Sequence, residues 1–245
     1  MWLQRSADVV MVGERLPRSS SPHSHCVMQL TIGLFAPVRA RIAGHVVPDA
    51  SGMLIDANVA HEVAGDLVHL FVDPQSQTGR AWRGMLRAQP YLPLSREVVA
   101  QFLSGQGEDA WLDGRASGGA VESLMQAMQR EHGRSMAAPF DERVANVIQL
   151  LRGRLDARTP LEELADLAHL SPSRLTHLFT REVGMPIKQY VVWLRLVAVI
   201  DAIARDKSLG TLAVASGFPD QAAFTRSYRR AWGRTPTSFR QAAAL

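Results

Sequence analysis

Along this chain the apolar positions change their period near residue 78. Before that point short apolar runs at 27–34, 53–55 and 68–72 alternate with turn-rich pieces at 17–22, 48–52 and 73–79. Strand-length runs punctuated in this way predict a small all-β sandwich or barrel. Beyond it the period becomes helical. Ser95 is placed to cap a helix that stops at Ser104-Gly105, and 107–119 reads as a loop. Residues 120–132 then carry Val121, Leu124, Met125 and Met128 at i, i+3, i+4 and i+7, an amphipathic stripe that suits a core or a partner helix. Residues 133–139 read as a linker between domains.

From residue 141 the pattern is helical almost throughout. Val144, Val147, Ile148, Leu151 and Leu155 share one face. Thr159-Pro160-Leu161-Glu162 predicts a capping box with proline at the first helical position, starting a short helix to about Ala168. Ser171-Pro172 repeats the cap-plus-proline device for a helix to about Val183, which Gly184 ends. A longer helix spans 187–205, about 28 Å at about 1.5 Å per residue. Ser208 opens another short helix ending at Ser216-Gly217, and 220–232 forms the last one before Gly233.

Composition narrows the class. In 245 residues, 47% are hydrophobic, enough apolar surface to argue against intrinsic disorder. Arg195 interrupts the most apolar run and no signal-peptide core is visible, so neither a membrane span nor a leader is expected. The single cysteine, Cys26, excludes an internal disulfide, fits a reducing cytoplasm and reads as an inert core thiol. The net charge of +4 is unevenly spread. Residues 141–245 hold 15 Lys and Arg against 10 Asp and Glu, whereas residues 1–140 hold 12 against 13. Arginine supplies 25 of the 27 cations, and its planar fork suits phosphates and guanine edges. A sensing half followed by a nucleic-acid-binding half is the implied layout.

The rear half repeats one design. Residues 161–182 and 209–232 each read as a short helix, a tight turn and a longer helix, the helix-turn-helix arrangement. Leu175, Leu178 and Phe179 point inward in one copy, and Phe224, Tyr228 and Trp232 in the other. The opposite faces carry Ser173, Arg174, Thr176, His177, Thr180 and Arg181, and Gln221, Ala222, Thr225, Arg226, Arg229 and Arg230. These side chains can read base edges or hold phosphates. Ser173, Thr176, His177, Gln221, Ala222, Thr225 and Arg226, near the helix starts, are the expected base readers. Arg174, Thr180, Arg181, Arg229 and Arg230 are the expected phosphate contacts.

The string LEELADLAHLSPSRLTHLFTREVGMPIKQYVVWLRL, followed by GFPDQAAFTRSYRRAWGRTPTSFR, closely resembles the AraC/XylS family of bacterial transcription regulators. Matching positions include Leu164, Ala165, Leu175, Phe179, Gly184, Tyr190 and Arg195, then Ala213, Gly217, Phe218, Gln221, Phe224 and Arg226. The resemblance covers about the last 100 residues. It implies two recognition helices held by one linker helix in successive major grooves of double-stranded DNA, with RNA polymerase as a partner. His177 and Thr180 stand where the family often has Arg and Lys, which bears on operator preference.

In the front half, His23 and His25 would share a strand face, with Gln29 and later His61 completing a spacing that resembles the two cupin motifs. Gln29 replaces that motif's Glu. Three neutral imidazoles, His23, His25 and His61, are candidate ligands for Zn²⁺ or Ni²⁺. Alternatively, with Gln29 they line a pocket for a small-molecule effector. His45, His69, His132 and His169 have no partner at ligand spacing and read as surface or cap residues.

The expected molecule is α+β: a cupin-like sensing domain at 1–77, a helical segment with a dimerisation helix at 78–137, and a DNA-binding domain at 138–245. It reads as a cytoplasmic, homodimeric regulator. The competing readings are a cupin-type metalloenzyme with a fused DNA-binding tether and a non-specific nucleoid binder. A metalloenzyme needs an acid or base beside a complete metal site.

Overall fold

The computed structural model describes residues 2–6, 9–16, 20–74, 76–104, 107–112, 119–133, 141–155, 159–203, 208–232 and 235–237. Two compact units divide the chain at Ala137–Ala138. The expected linker lies mostly outside the described residues, as does the expected end of the long helix at 204–205.

The first unit is built on β1 (Trp2–Ser6), β2 (Val9–Leu16), β3 (Met28–Gly33), β4 (Arg39–Ile42), β5 (His45–Val46), β6 (Gly52–Ile55), β7 (His61–Val72) and β8 (Tyr91–Leu94). Its antiparallel order is β1-β2-β7-β3-β6-β8, with β4 joining β7 and β5 joining β4. The 12-residue β7 pairs with three strands. His61–Ala64 pair with β4, and from Gly65 onward the strand runs between β2 and β3. Gly65, at φ +141°, sits at this changeover.

Alternation on β3 explains how the sheet is covered. Met28, Leu30 and Ile32 face an apolar core with Val68, Leu70 and Val72. That core is closed by α1 (Gln77–Leu86), α2 (Arg96–Leu103), α3 (Glu108–Leu112) and α4 (Ala120–His132) through Trp82, Phe102, Trp111, Leu124 and Met128. Gln29 and Thr31 face the other way, yet they are as buried as their neighbours. A second apolar cluster includes Ile42, Met53, Ile55, Val63 and Leu67.

Two expectations require correction here. The segment 78–137 is not wholly helical, because β8 pairs with β6 and extends the sheet past residue 77. Pro93 is tolerated since β8 is an edge strand. The α4 stripe is also not a free dimerisation face. Leu124 and Met128 are buried in the unit's own core, with Val121 and Met125 packed against it.

The second unit contains α5 (Glu142–Gly153), α6 (Leu161–Leu167), α7 (Pro172–Val183), α8 (Ile187–Ile203), α9 (Leu209–Ala215) and α10 (Gln221–Trp232). Asp141, Ser171 and Ser208 cap α5, α7 and α9 through their side chains, and Gly184 at φ 75° ends α7. The expected Thr159–Glu162 capping box does not form. Pro160 stays extended at the cap position and α6 begins one residue later without a side-chain cap. Glu162 and Glu163 in its first turn favour the positive end of the helix instead. Among the described residues, no helix is long and apolar enough to cross a membrane.

Gly217 shows why the second turn is demanding. It has φ +78°, and a Cβ there would lie 2.6 Å from the Leu155 carbonyl oxygen and 2.8 Å from Arg195 Nε. Arg195 Nε itself donates to that carbonyl at 2.9 Å. Gly217→Ala is therefore expected to cost about 2 kcal/mol through left-handed strain and a displaced Arg195. Urea unfolding checks this, and a change under 0.5 kcal/mol would contradict it.

Candidate nucleic-acid interface and histidine cluster

Each helix-turn-helix unit buries one row and exposes another. In the first, Leu164, Ala165 and Ala168 are buried with Leu175, Leu178, Phe179 and Val183. Tyr190 of α8 meets Phe179 edge-on at 5.6 Å between ring centroids. In the second, Leu209, Leu212 and Ala213 are buried with Phe218, Phe224 and Tyr228. The Trp193 and Trp232 rings stand 5.4 Å apart, tying α10 to α8. Small Ala165 and Ala213 leave room for the crossing helix.

The opposite rows reach solvent. On α7, Ser173, Arg174, His177 and Arg181 are exposed and Thr176 and Thr180 half-buried. On α10, Gln221, Ala222, Arg226, Arg229 and Arg230 are exposed and Thr225 half-buried. Two of these side chains already have local partners. The Thr176 hydroxyl donates to the Pro172 carbonyl at 2.9 Å, which leaves its oxygen as an acceptor. Arg181 meets Glu182 Oε1 at 3.0 Å, an exposed pair weak enough to exchange for a phosphate. Asp220 Oδ1 accepts from the Ala223 amide at 2.6 Å and so caps α10, placing Gln221 and Ala222 at its leading turn.

The front unit gathers His23, His25 and His61, with ligand-capable nitrogens all within 4.8 Å of one another. They do not meet as alternate residues of one strand, as the sequence suggests, because β3 begins only at Met28. His23 forms an isolated bridge with His61, and the Asn58 amide, in a left-handed turn, donates to the His25 carbonyl at 2.7 Å. Each ring is oriented by a backbone carbonyl. Nδ1–H donates to Ser21 from His23 at 2.8 Å, to Val27 from His25 at 2.9 Å and to Val59 from His61 at 2.9 Å. Gln29 Oε1 lies 2.8 Å from His25 Nε2 and 3.1 Å from His61 Nε2.

A buried polar chain continues from Gln29. Its Nε2 donates to Thr31 Oγ1 at 2.8 Å, and Thr31 Oγ1 stands 2.9 Å from His69 Nδ1. His69 Nε2 meets Glu14 Oε1 at 2.9 Å. His69 is thus no surface residue; it is only 3% exposed, opposite Thr31 in the β3–β7 register. Glu14, Thr31 and His69 escape a motif search. The available signal is the polar alternation of Gln29 and Thr31 inside an apolar strand. Burial, with smaller contributions from neighbouring imidazoles, lowers His25 to about 4 and His61 well below its usual range. Both rings are neutral near pH 7. Burial pushes the Cys26 thiol up to about 12, which makes it unreactive.

Taken together, the rear unit defines a double helix-turn-helix, DNA-binding protein. The helix-turn-helix domain family matches residues 164–242. The probable transcriptional regulator LumQ of Photobacterium leiognathi is 26% identical, over 92% of this chain and 94% of its own length. The arabinose operon regulatory protein of Salmonella typhimurium is 28% identical over 60% of this chain, which spans about half (53%) of that relative. ToxT K231A from Vibrio cholerae shares the fold at TM-score 0.65 and 8% identity, over 97% of this chain and 98% of ToxT. A fatty-acid-bound ToxT structure from the same strain gives 0.60 at 8% identity, over 94% of this chain and 93% of that one. The chain is a DNA-binding transcription regulator, similar to members of the AraC/XylS family.

Proposed function

We propose that this regulator reads DNA sequence with α7 and α10 and responds to a small effector or metal through its N-terminal sheet. The observation that carries the DNA assignment is the pairing, on α10, of a buried Phe224–Tyr228 row with an exposed Gln221–Ala222–Arg226 row. Helix-turn-helix proteins present the leading turns of the second helix to base edges. Gln221 can bond adenine in bidentate fashion, Arg226 guanine, and the Ala222 methyl a thymine methyl. On α7, Ser173, Thr176 and His177 form the matching row. Arg174, Thr180, Arg181, Arg229 and Arg230 hold phosphates.

The buried polar face of a cupin-like sheet supports the sensing role, because Gln29, Thr31, His61 and His69 supply directional polar groups inside an apolar shell. A fatty-acid-bound structure of ToxT, which shares the fold, supports a ligand-responsive role for a chain of this fold. That the relatives are named as regulators favours sensing over catalysis. Paired half-sites would recruit two copies through a surface other than the α4 stripe, beside RNA polymerase.

The test uses a duplex selected from random sequence, titrated at several salt concentrations. Wild type is expected to prefer it over random duplex by about 10³-fold or more. Gln221→Ala should lose about 1–3 kcal/mol and flatten preference at one base pair. Arg229→Ala should weaken both duplexes alike and lower the salt slope by about one. Equal wild-type affinity for both duplexes would instead identify a non-specific binder. Loss spread evenly over every operator position in Gln221→Ala would remove that residue from base reading.

A further inference from the structure

A buried polar chain ends at Gln29. His69 Nε2 meets Glu14 Oε1 at 2.9 Å, and Thr31 Oγ1 stands 2.9 Å from His69 Nδ1. The Thr31 oxygen in turn accepts from Gln29 Nε2, so the Gln29 amide oxygen faces His25 and His61. On those rings the proton is already on Nδ1, held by the Val27 and Val59 carbonyls. Two imidazole Nε2 lone pairs therefore meet an amide oxygen at 2.8 and 3.1 Å with no proton between them. His23, oriented the same way by Ser21, adds a third imidazole. Convergent electron-pair donors repel one another unless a cation lies among them.

We infer that His23, His25, His61 and Gln29 Oε1 form a binding site for a first-row divalent transition ion, of the chemistry of Zn²⁺ or Ni²⁺. Imidazole nitrogen suits these ions rather than Mg²⁺ or Ca²⁺, which prefer all-oxygen shells. Nδ1–H bonds to backbone carbonyls are the support that metal-bound histidines require, since they fix the tautomer and aim Nε2 inward. Around Zn²⁺, nitrogens at about 2.0–2.1 Å would stand roughly 3.4 Å apart, so the three rings close inward by about 1 Å. The Gln29 contacts already lie near that spacing. His23 is half-buried while His25 and His61 are buried, which gives the ion an entry side. The inference deepens the sensing role proposed for this unit, but metal content is measured without DNA and stands apart from the DNA-binding reading.

The experiment titrates the untagged full chain, purified without metal-affinity resin and stripped with chelator, with Zn²⁺, Ni²⁺ and Mg²⁺ by calorimetry. One equivalent of Zn²⁺ or Ni²⁺ per chain is expected, with Mg²⁺ at least 100-fold weaker. His61→Ala should weaken binding by about 100-fold or more, and His23→Ala, at the exposed edge, by about 10-fold or more. Gln29→Glu places a charged oxygen at the same position and should tighten binding by about 10-fold or more. Circular dichroism in chelator establishes that each variant is folded. Wild type binding no more Zn²⁺ or Ni²⁺ than a folded His23→Ala/His61→Ala chain overturns the inference, as does a folded Gln29→Glu chain that binds no more tightly than wild type.

Discussion

Phe224→Ala is expected to lower the stability of the helical unit by about 3–5 kcal/mol, the usual cost of removing a fully enclosed phenylalanine. Phe224 has no exposed surface and meets Phe218 and Tyr228 edge-on at 5.3 and 5.8 Å. It joins the turn after α9 to the body of α10, so the cavity opens beneath the row that carries Gln221 and Arg226. For a unit of about 100 residues this corresponds to a melting temperature at least 12 °C lower. Tryptophan fluorescence follows it, because Trp232 lies beside Tyr228 and Trp193 beside Trp232. Phe224→Leu, closer in volume, should lose far less. Equal losses for Leu and Ala would mean that the ring contributes little through its packing.

His69→Ala is expected to cost the front unit a comparable 3–5 kcal/mol, for an electrostatic reason. The imidazole meets Glu14 at 2.9 Å with both side chains at most 9% exposed, and its Nδ1 also lies 2.9 Å from Thr31 Oγ1. Removing one member of a buried polar pair leaves the other to bear its desolvation, whereas replacing both with apolar groups removes that cost. The double variant Glu14→Leu/His69→Leu should therefore be more stable than His69→Ala by about 1–3 kcal/mol. Denaturant unfolding of all variants gives the coupling. Simple additivity of the Glu14→Leu and His69→Leu losses would show that the two residues do not act as a pair.

The rear unit was legible because its signals are local. Ser171-Pro172, Gly184 and Ser208 act within a few residues of where they stand, and apolar spacing selects the buried row of each helix. The capping box failed for an equally local reason: Pro160 remained extended, so the helix start moved past it. In the front unit the candidate ligands were recognisable as residue types at suggestive spacing. Their convergence was not, because His23 and His25 lie on irregular backbone before β3 and only the pairing with β7 brings His61 to them.

Helix positions, the exposed rows of α7 and α10 and charge asymmetry thus follow from the order of residues alone, since propensity, capping and periodicity are short-range properties of the chain. Three features waited on the tertiary structure. Strand β8 exists because β6 offers its edge to Tyr91–Leu94. The α4 stripe became a core face because the sheet supplied Leu70 and Val72 to the same cluster. His69 acquired Thr31, 38 residues away, through β3–β7 register, and Glu14 through β2. A partner brought in by sheet pairing leaves no periodic trace in sequence, because its identity depends on which strands meet and in what register.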